Sequence, residues 1–392
     1  MLFQAVDDKE NCVAIYKNGT LIKNYLPGDL MYTWCASAFL RDLPIEYAYL
    51  YCQQPLKEAC PEHLKSELTE VMNLLKAFTI SLSESRIDIN QHCFYDLMPE
   101  SFLVKFCEIK NKISNYIFNN YDKPSNYDFL CALHKIEQEI SHKKVKLDFT
   151  RVETKHLNFA NKNKLNSAKA AAPYIRYNIF GSKTGRLTTR KNSFPILNLN
   201  KEFRSAVIPT NNKYVEIDFN AFEIRVLLYL LGKEQPLMDI HEWNVRNVYA
   251  DTITRDEAKT RIFAWLYNLD SKDTMSEGMY NRGEILKKYW NGRSIVNPFD
   301  REIESDKFHA VSYLIQSTAA DIVLRQMIKI SDILKNKKSY IAFTIHDSVV
   351  IDMADEDMSL LPELERQFST FGDTQFLTNV SIGSDFGNME SA

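Results

Sequence analysis

Two aspartates stand at the ends of segments patterned as buried strands. In YVEIDFNAFEIRVLLYLL (Tyr214 to Leu231) a β-type run gives way to a helical apolar period after Asn220, which puts Asp218 at a strand end. In IAFTIHDSVVIDM two β-branched runs flank His346-Asp347-Ser348, and the pattern predicts a hairpin presenting Asp347 at its turn. A carboxylate so placed is costly unless a cation or hydrogen-bond donors pair with it. Two carboxylates on adjacent strands suit hard, octahedral Mg²⁺, which takes one or two protein oxygens and fills its other positions with water and phosphate oxygens. A pair of such ions supports phosphoryl transfer. Each aspartate taken alone also fits an ordinary cap or turn.

A third segment narrows the choice. In TRDEAKTRIFAWLYN, Thr254 and Glu257 form a capping-box signature, so a helix is predicted to begin at Arg255. Arg255, Lys259, Phe263 and Tyr267 then recur at four-residue spacing, a row about 18 Å long at about 1.5 Å rise per residue. Cations at the amide-rich helix start could hold a triphosphate, and the aromatics of the later turns could stack on a base and sugar. A plain surface helix shows the same spacing.

The elements that must carry these residues follow from the rest of the pattern. The first 55 or so residues hold short alternating runs around an Asn18-Gly19 hairpin signal, reading as a small β-rich appendage. From Pro61 to His142 the period is helical, with Leu64, Leu68, Val71, Leu75 and Phe78 on one face and Phe102, Phe106, Ile109, Ile113 and Ile117 on another. Thr150 to Lys191 is polar and basic, with turns marked by Gly181 and Gly185 and no core signal. Strand and helix signals then alternate to the end, giving an α+β body.

Composition bounds the function. A chain of 392 residues, 45% hydrophobic, can bury a large core and exceeds the size at which cores usually split. It shows no targeting segment and no membrane-spanning run, so a cytoplasmic protein with no membrane partner is expected. All seven cysteines precede residue 132 without a CxxC pair, so reduced buried thiols are expected rather than a disulfide framework or zinc site. The formal net charge is −3, yet Arg151 to Lys213 carries 13 Lys or Arg against Glu153 and Glu202, and the stretch from Ile351 onward has nine acids and only Arg366. Such a basic block has the character of a phosphate-backbone footprint, although a solvated charged face reads the same way.

Together these segments resemble the family A (DNA polymerase I-like) polymerases. DFNAFEIR, RDEAKTRIFAWLYN and HDS correspond to that family's motifs A (roughly DYSQIELR), B (RxxxKxxxFxxxYG) and C (HDE). GSKTGRLTT (Gly181 to Thr189), QSTAADIVLRQMI (Gln316 to Ile328) and the closing IGSDFGNM are similar to further family segments, so the match runs from about Tyr174 to the C-terminus. The resemblance implies a right-hand fold with an antiparallel-sheet palm, helical fingers and helical thumb. The expected organisation is 1–55 appendage without a complete exonuclease, 56–150 thumb, 151–235 first part of the palm, 236–305 fingers and 306–392 second part of the palm.

It further implies template-directed DNA synthesis from dNTPs on primer-template DNA with two Mg²⁺ ions, for which Mn²⁺ can substitute. Asp218, Asp347 and the Phe219 carbonyl would bind metal, and Lys259 would join the two aspartates in catalysis. Arg255, Lys259 and His241 of DIHEWN would hold the triphosphate, Phe263 the sugar and Tyr267 the template-base position. Glu223 would be the steric gate against a ribose 2′-hydroxyl. Arg186, Gln316 and His346 would contact DNA near the primer end, with Lys183, Thr184 and Arg190 beside them. The compact size suggests a viral replication enzyme, served by a separate exonuclease, clamp or other replisome protein.

The chain also departs from the pattern. Ser348 replaces the acid after the motif C aspartate, leaving its supporting role lost or filled by water. Asn268 replaces the glycine after the motif B tyrosine, and Ala264 stands where glycine is common. Motif B begins 14 residues after His241, a shortened fingers region. Asp7-Asp8 is a poor match to an exonuclease DxE signature, so no proofreading is expected. Two rivals stay open: a single-subunit RNA polymerase, which also reads HDS but lacks a gate glutamate, and a DNA-binding subunit that has lost activity.

Overall fold

The structure, a computed structural model, describes residues 1–7, 9, 12–153, 158–268 and 270–392. The chain divides into two compact units, residues 1–143 and 144–392.

In the first unit Gln4–Ala5 (β1), Ala14–Lys17 (β2) and Thr20–Lys23 (β3) form an antiparallel sheet. The β2–β3 turn is the expected Asn18-Gly19 hairpin, with both residues at positive φ (50° and 79°), as a two-residue type I′ turn requires. Three long helices follow: Lys65–Glu84 (α1), Glu100–Asn120 (α2) and Tyr127–His142 (α3). The expected apolar stripe of α2 is largely buried, with Ile109, Ile113 and Ile117 inaccessible. Residues 1–55 do not stand apart as an appendage. The buried Gln4 side chain donates to Asn111 and Ser114 on α2, and the Tyr47 amide donates to the Tyr127 hydroxyl on α3. β1 and the helices thus share one core.

The cysteine expectation also needs correction: Cys12 and Cys93 form a disulfide across 81 residues, and the other five cysteines are outside any disulfide. The pairing joins the hairpin region to the segment before α2, a juxtaposition made by the fold and invisible to local spacing. Asp7 is buried at the end of β1, where it ion-pairs with Lys9 and accepts the Phe94 amide; Asp8 lies outside the described residues. Among the described residues no helix is long and apolar enough to cross a membrane.

The second unit is built on a five-stranded antiparallel sheet. Lys213–Phe219 (β4) is its central strand, flanked by Ser348–Met353 (β6) and Thr378–Gly383 (β7), with Tyr340–Ile345 (β5) and Met389–Ser391 (β8) at the edges. Alternation sets the faces: Val215, Ile217 and Phe219 are buried, whereas Glu216 and Asp218 point to the other face and are half-buried. Phe222–Leu230 (α4) and Lys307–Ile333 (α7) carry much of the remaining core, including the fully buried Ile224, Val226, Ile315 and Ile322. Phe219 stacks on Phe222 at 4.0 Å and on Phe368 at 4.4 Å, an aromatic cluster directly beneath the strand end. Ile240–Asn247 (α5) and Arg255–Tyr267 (α6) pack together.

Thr150 to Lys191 has more core than its composition indicates. It contains a helix, Phe159–Ala170, and a short antiparallel pair, Tyr177–Asn178 with Thr188–Thr189, and it buries Tyr174, Ile175, Tyr177 and Ile179.

Candidate active site

Asp218 sits on the sheet's central strand, opposite Ser348 on one side and Asn379 on the other. Asp347 occupies the two-residue turn between β5 and β6, because Ile345 pairs with Ser348. The two carboxylate carriers are tied by backbone: the Phe219 amide donates to the Asp347 carbonyl at 3.3 Å. Each strand runs into a left-handed residue, Ala221 (φ 45°) after β4 and His346 (φ 51°) after β5. Non-glycine residues rarely adopt this conformation, and it clusters at functional sites. Tyr177, fully buried, clamps the hairpin by donating to the Thr344 carbonyl (2.7 Å) and accepting its amide (3.1 Å).

Electrostatics mark the pair as strained without a cation. Burial pushes the Asp218 carboxyl up to about 7, with Glu216 and then Asp347 adding repulsion and a hydrogen bond from Asn379 opposing. Burial also raises Asp347, partly offset by Arg186. Carboxylates held this way are oxygen donors of the kind that suits a hard divalent ion. Ser348 does not leave a gap: its hydroxyl lies 2.8 Å from Oε1 of Glu216, a residue the sequence reading passed over.

The helix bearing the cation–aromatic row forms as expected. α6 begins at Arg255 with a capping box between Thr254 and Glu257. Its row is held in place by Asp239, whose carboxylate takes both Nε and a terminal nitrogen of Arg255 (3.2 and 2.7 Å). Lys259 is exposed, and Phe263 and Tyr267 stack in parallel at 6.2 Å. His241 is buried, with its ring 6.0 Å from Phe263 and its Nδ1 without a partner. Burial lowers its basicity; Asp239 opposes this, and the nearby charges of Arg255 and Lys259 lower it further. Three basic groups therefore converge, and one buried ring nitrogen among them is without a partner.

A hydrogen-bond chain links this helix to the start of α4 and to Arg186. The Tyr267 hydroxyl donates to Glu223 at the start of α4, and Arg186 donates to the other Glu223 oxygen at 2.9 Å. Gln316 on α7 also hydrogen-bonds Tyr267. Arg186 and His346 line a cleft of about 420 Å³ with Leu187, Thr188 and Asn198. Gly185 has φ +77°, and a Cβ there would fall 2.6 Å from the Arg301 guanidinium, itself locked by Asp321 at 2.6 and 3.0 Å. Lys183 and Arg190 are exposed and Thr184 is buried. The packing of α6 past Ala264 and Asn268 depends on Trp265, which is fully buried under the Arg282 guanidinium at 4.5 Å. Asn268 closes the helix, its amide donating to the Ala264 carbonyl.

Arg225 positions α5 and was not singled out by sequence. Its buried guanidinium donates to the carbonyls of Asn220 (2.7 Å), Pro236 (2.6 Å) and Met238 (2.7 Å), tying the turn after Asp218 to the approach to His241.

The architecture is that of a polymerase domain: an α+β fold with the right-hand polymerase topology. It matches the POL domain of Pol1 from M. smegmatis, solved in complex with DNA primer-template and dNTP, with a TM-score of 0.58 at 12% identity over 73% of this chain and 75% of that one. By sequence the chain is similar to a DNA polymerase of Bacillus phage SP01 (22% identical over 354 residues, 70% of this chain and 38% of that protein). It is also similar to a DNA polymerase of Mycobacterium phage D29 (27% over 176 residues, 36% of this chain and 28% of that protein). The chain thus spans well under half the length of these phage relatives. No protein-family model matches it.

Proposed function

We propose that this chain is a template-directed DNA polymerase that extends a primer 3′ end with dNTPs by two-metal nucleotidyl transfer, without proofreading of its own. The observation that carries the reading is the juxtaposition of Asp218 and Asp347 at the end of one antiparallel sheet, with Arg186 and Glu223, whose charges act on Asp347, hydrogen-bonded to each other and on to Tyr267 of the α6 row. In this reading residues 151–235 and 306–392 build the palm, 236–305 the fingers and 56–150 the thumb.

Asp218, Asp347 and the Phe219 carbonyl would hold two Mg²⁺ ions. When bound, these would lower the pKa of the attacking 3′-hydroxyl and stabilise the leaving pyrophosphate. Arg255, Lys259 and the unpartnered Nδ1 of His241 bind the triphosphate, with Lys259 placed to offset charge as pyrophosphate departs. Phe263 packs on the sugar. Glu223 is held in place by Arg186 and Tyr267, so its side chain blocks a 2′-hydroxyl. Arg186, Gln316 and His346 contact the DNA near the primer end, with Lys183 and Arg190 on the phosphates and Thr184 supporting their loop. A viral origin agrees with the phage relatives, and a separate exonuclease, clamp or other replisome protein would serve as partner.

Primer extension with dNTPs or rNTPs, with and without Mg²⁺, tests the proposal. Asp218→Asn and Asp347→Asn should each abolish extension while duplex binding persists, and Glu223→Ala should admit rNTPs. Equal use of both nucleotides by the unaltered chain would favour the RNA polymerase reading, and unaffected extension by either asparagine variant would refute the metal assignment.

A further inference from the structure

We propose that Glu216 supplies the third carboxylate of the metal-binding centre, so that the acid missing at Ser348 is provided from the neighbouring strand. The inference rests on the polymerase reading above and deepens it.

Glu216 and Asp218 are two residues apart on β4 and therefore share a face, roughly 7 Å apart along the strand. Asp218 opposes Ser348 and Glu216 opposes Val350, so Glu216 and Ser348 are diagonal neighbours, a relation that a long side chain can span. It does span it. The buried Ser348 hydroxyl has one proton and two acceptors in range, Oε1 of Glu216 at 2.8 Å and the Ile345 carbonyl at 3.1 Å. The carboxylate is both the nearer and, being charged, the stronger acceptor.

Serine at 348 is therefore the docking point for an acid that originates on β4. Among the described residues Glu216 has no cationic partner, and its Oε2 accepts no hydrogen bond. A half-buried carboxylate on the same strand face as Asp218, with one oxygen steered by a hydroxyl and the other uncommitted, is disposed to ligate or orient a shared cation.

The test is Mn²⁺ titration of the full chain without DNA, read by the electron paramagnetic resonance of free Mn²⁺, alongside the Mg²⁺ dependence of primer extension. Glu216→Gln keeps the shape and the acceptor for Ser348 but removes the charge. It should weaken Mn²⁺ binding about tenfold or more and raise the Mg²⁺ needed for half-maximal extension by a similar factor. The reciprocal double variant Glu216→Ser with Ser348→Glu should move both quantities back towards the unaltered chain. Unchanged Mn²⁺ affinity in Glu216→Gln overturns the proposal, as does a folded double variant that binds Mn²⁺ no better than Glu216→Gln. If the unaltered chain binds Mn²⁺ but extends no primer, the polymerase reading fails, and the binding comparison still decides the role of Glu216.

Discussion

Asp218 shows what one misplaced proton does to a folded chain. Its carboxyl is pushed up to about 7 by burial and by Glu216 and Asp347, whereas the unfolded residue titrates near 4. The folded value is raised, so the contribution to stability is fully present below about pH 4 and is lost as the pH rises through about 7. In EDTA the melting temperature should accordingly fall between about pH 4 and 7 and level off above. Asp218→Asn should flatten that slope and stabilise the metal-free protein above pH 7 by on the order of 2 kcal/mol. Melts that are pH-independent, or a destabilised asparagine variant, would contradict the burial of this charge. Mg²⁺ should stabilise the unaltered chain most where the carboxylates are ionised.

At the scale of elements, Arg225 fixes the distance between the strand that ends in Asp218 and the helix that bears His241. Arg225→Met keeps the volume but strands three carbonyl acceptors, those of Asn220, Pro236 and Met238. We expect a loss of about 3 kcal/mol or more in urea denaturation, together with a raised KM for dNTPs as α5 loosens. The elements legible in the sequence are those whose cues are local: β4 leading into α4, the β5–β6 hairpin, and α6 with its capping box. What escaped is non-local. Tyr177 meets Thr344 across 167 residues and Glu216 meets Ser348 across 132, and nothing in either segment announces the partner. Arg225 drew no reading of its own, because burial of a guanidinium depends on carbonyls supplied by a later loop. In Thr150 to Lys191 the strands are two residues long, too short to establish a period, and the buried aromatics are diluted by lysines.

For the molecule as a whole, the two units should respond differently to a reductant. The Cys12–Cys93 link closes a loop of 81 residues within residues 1–143, and such a closure stabilises by about 4 kcal/mol in the chain-entropy treatment. Alkylation of the unfolded, unreduced chain should modify five cysteines, since five are outside the disulfide. Reduction should lower the melting of the first unit while the second is unmoved. Seven modified cysteines before reduction would show that the link does not form. The left-handed residues at Ala221 and His346 bear on a different matter, the chain's capacity to improve. Each sits in a conformation that glycine adopts more readily, by about 1 kcal/mol. Ala221→Gly and His346→Gly should therefore raise the melting temperature, and His346→Gly should slow extension by removing a side chain proposed to meet the primer end. Selection for thermal robustness and selection for turnover would pull the turn at His346 in opposite directions, so an easy route to a hardier protein passes through a position where change is least tolerable.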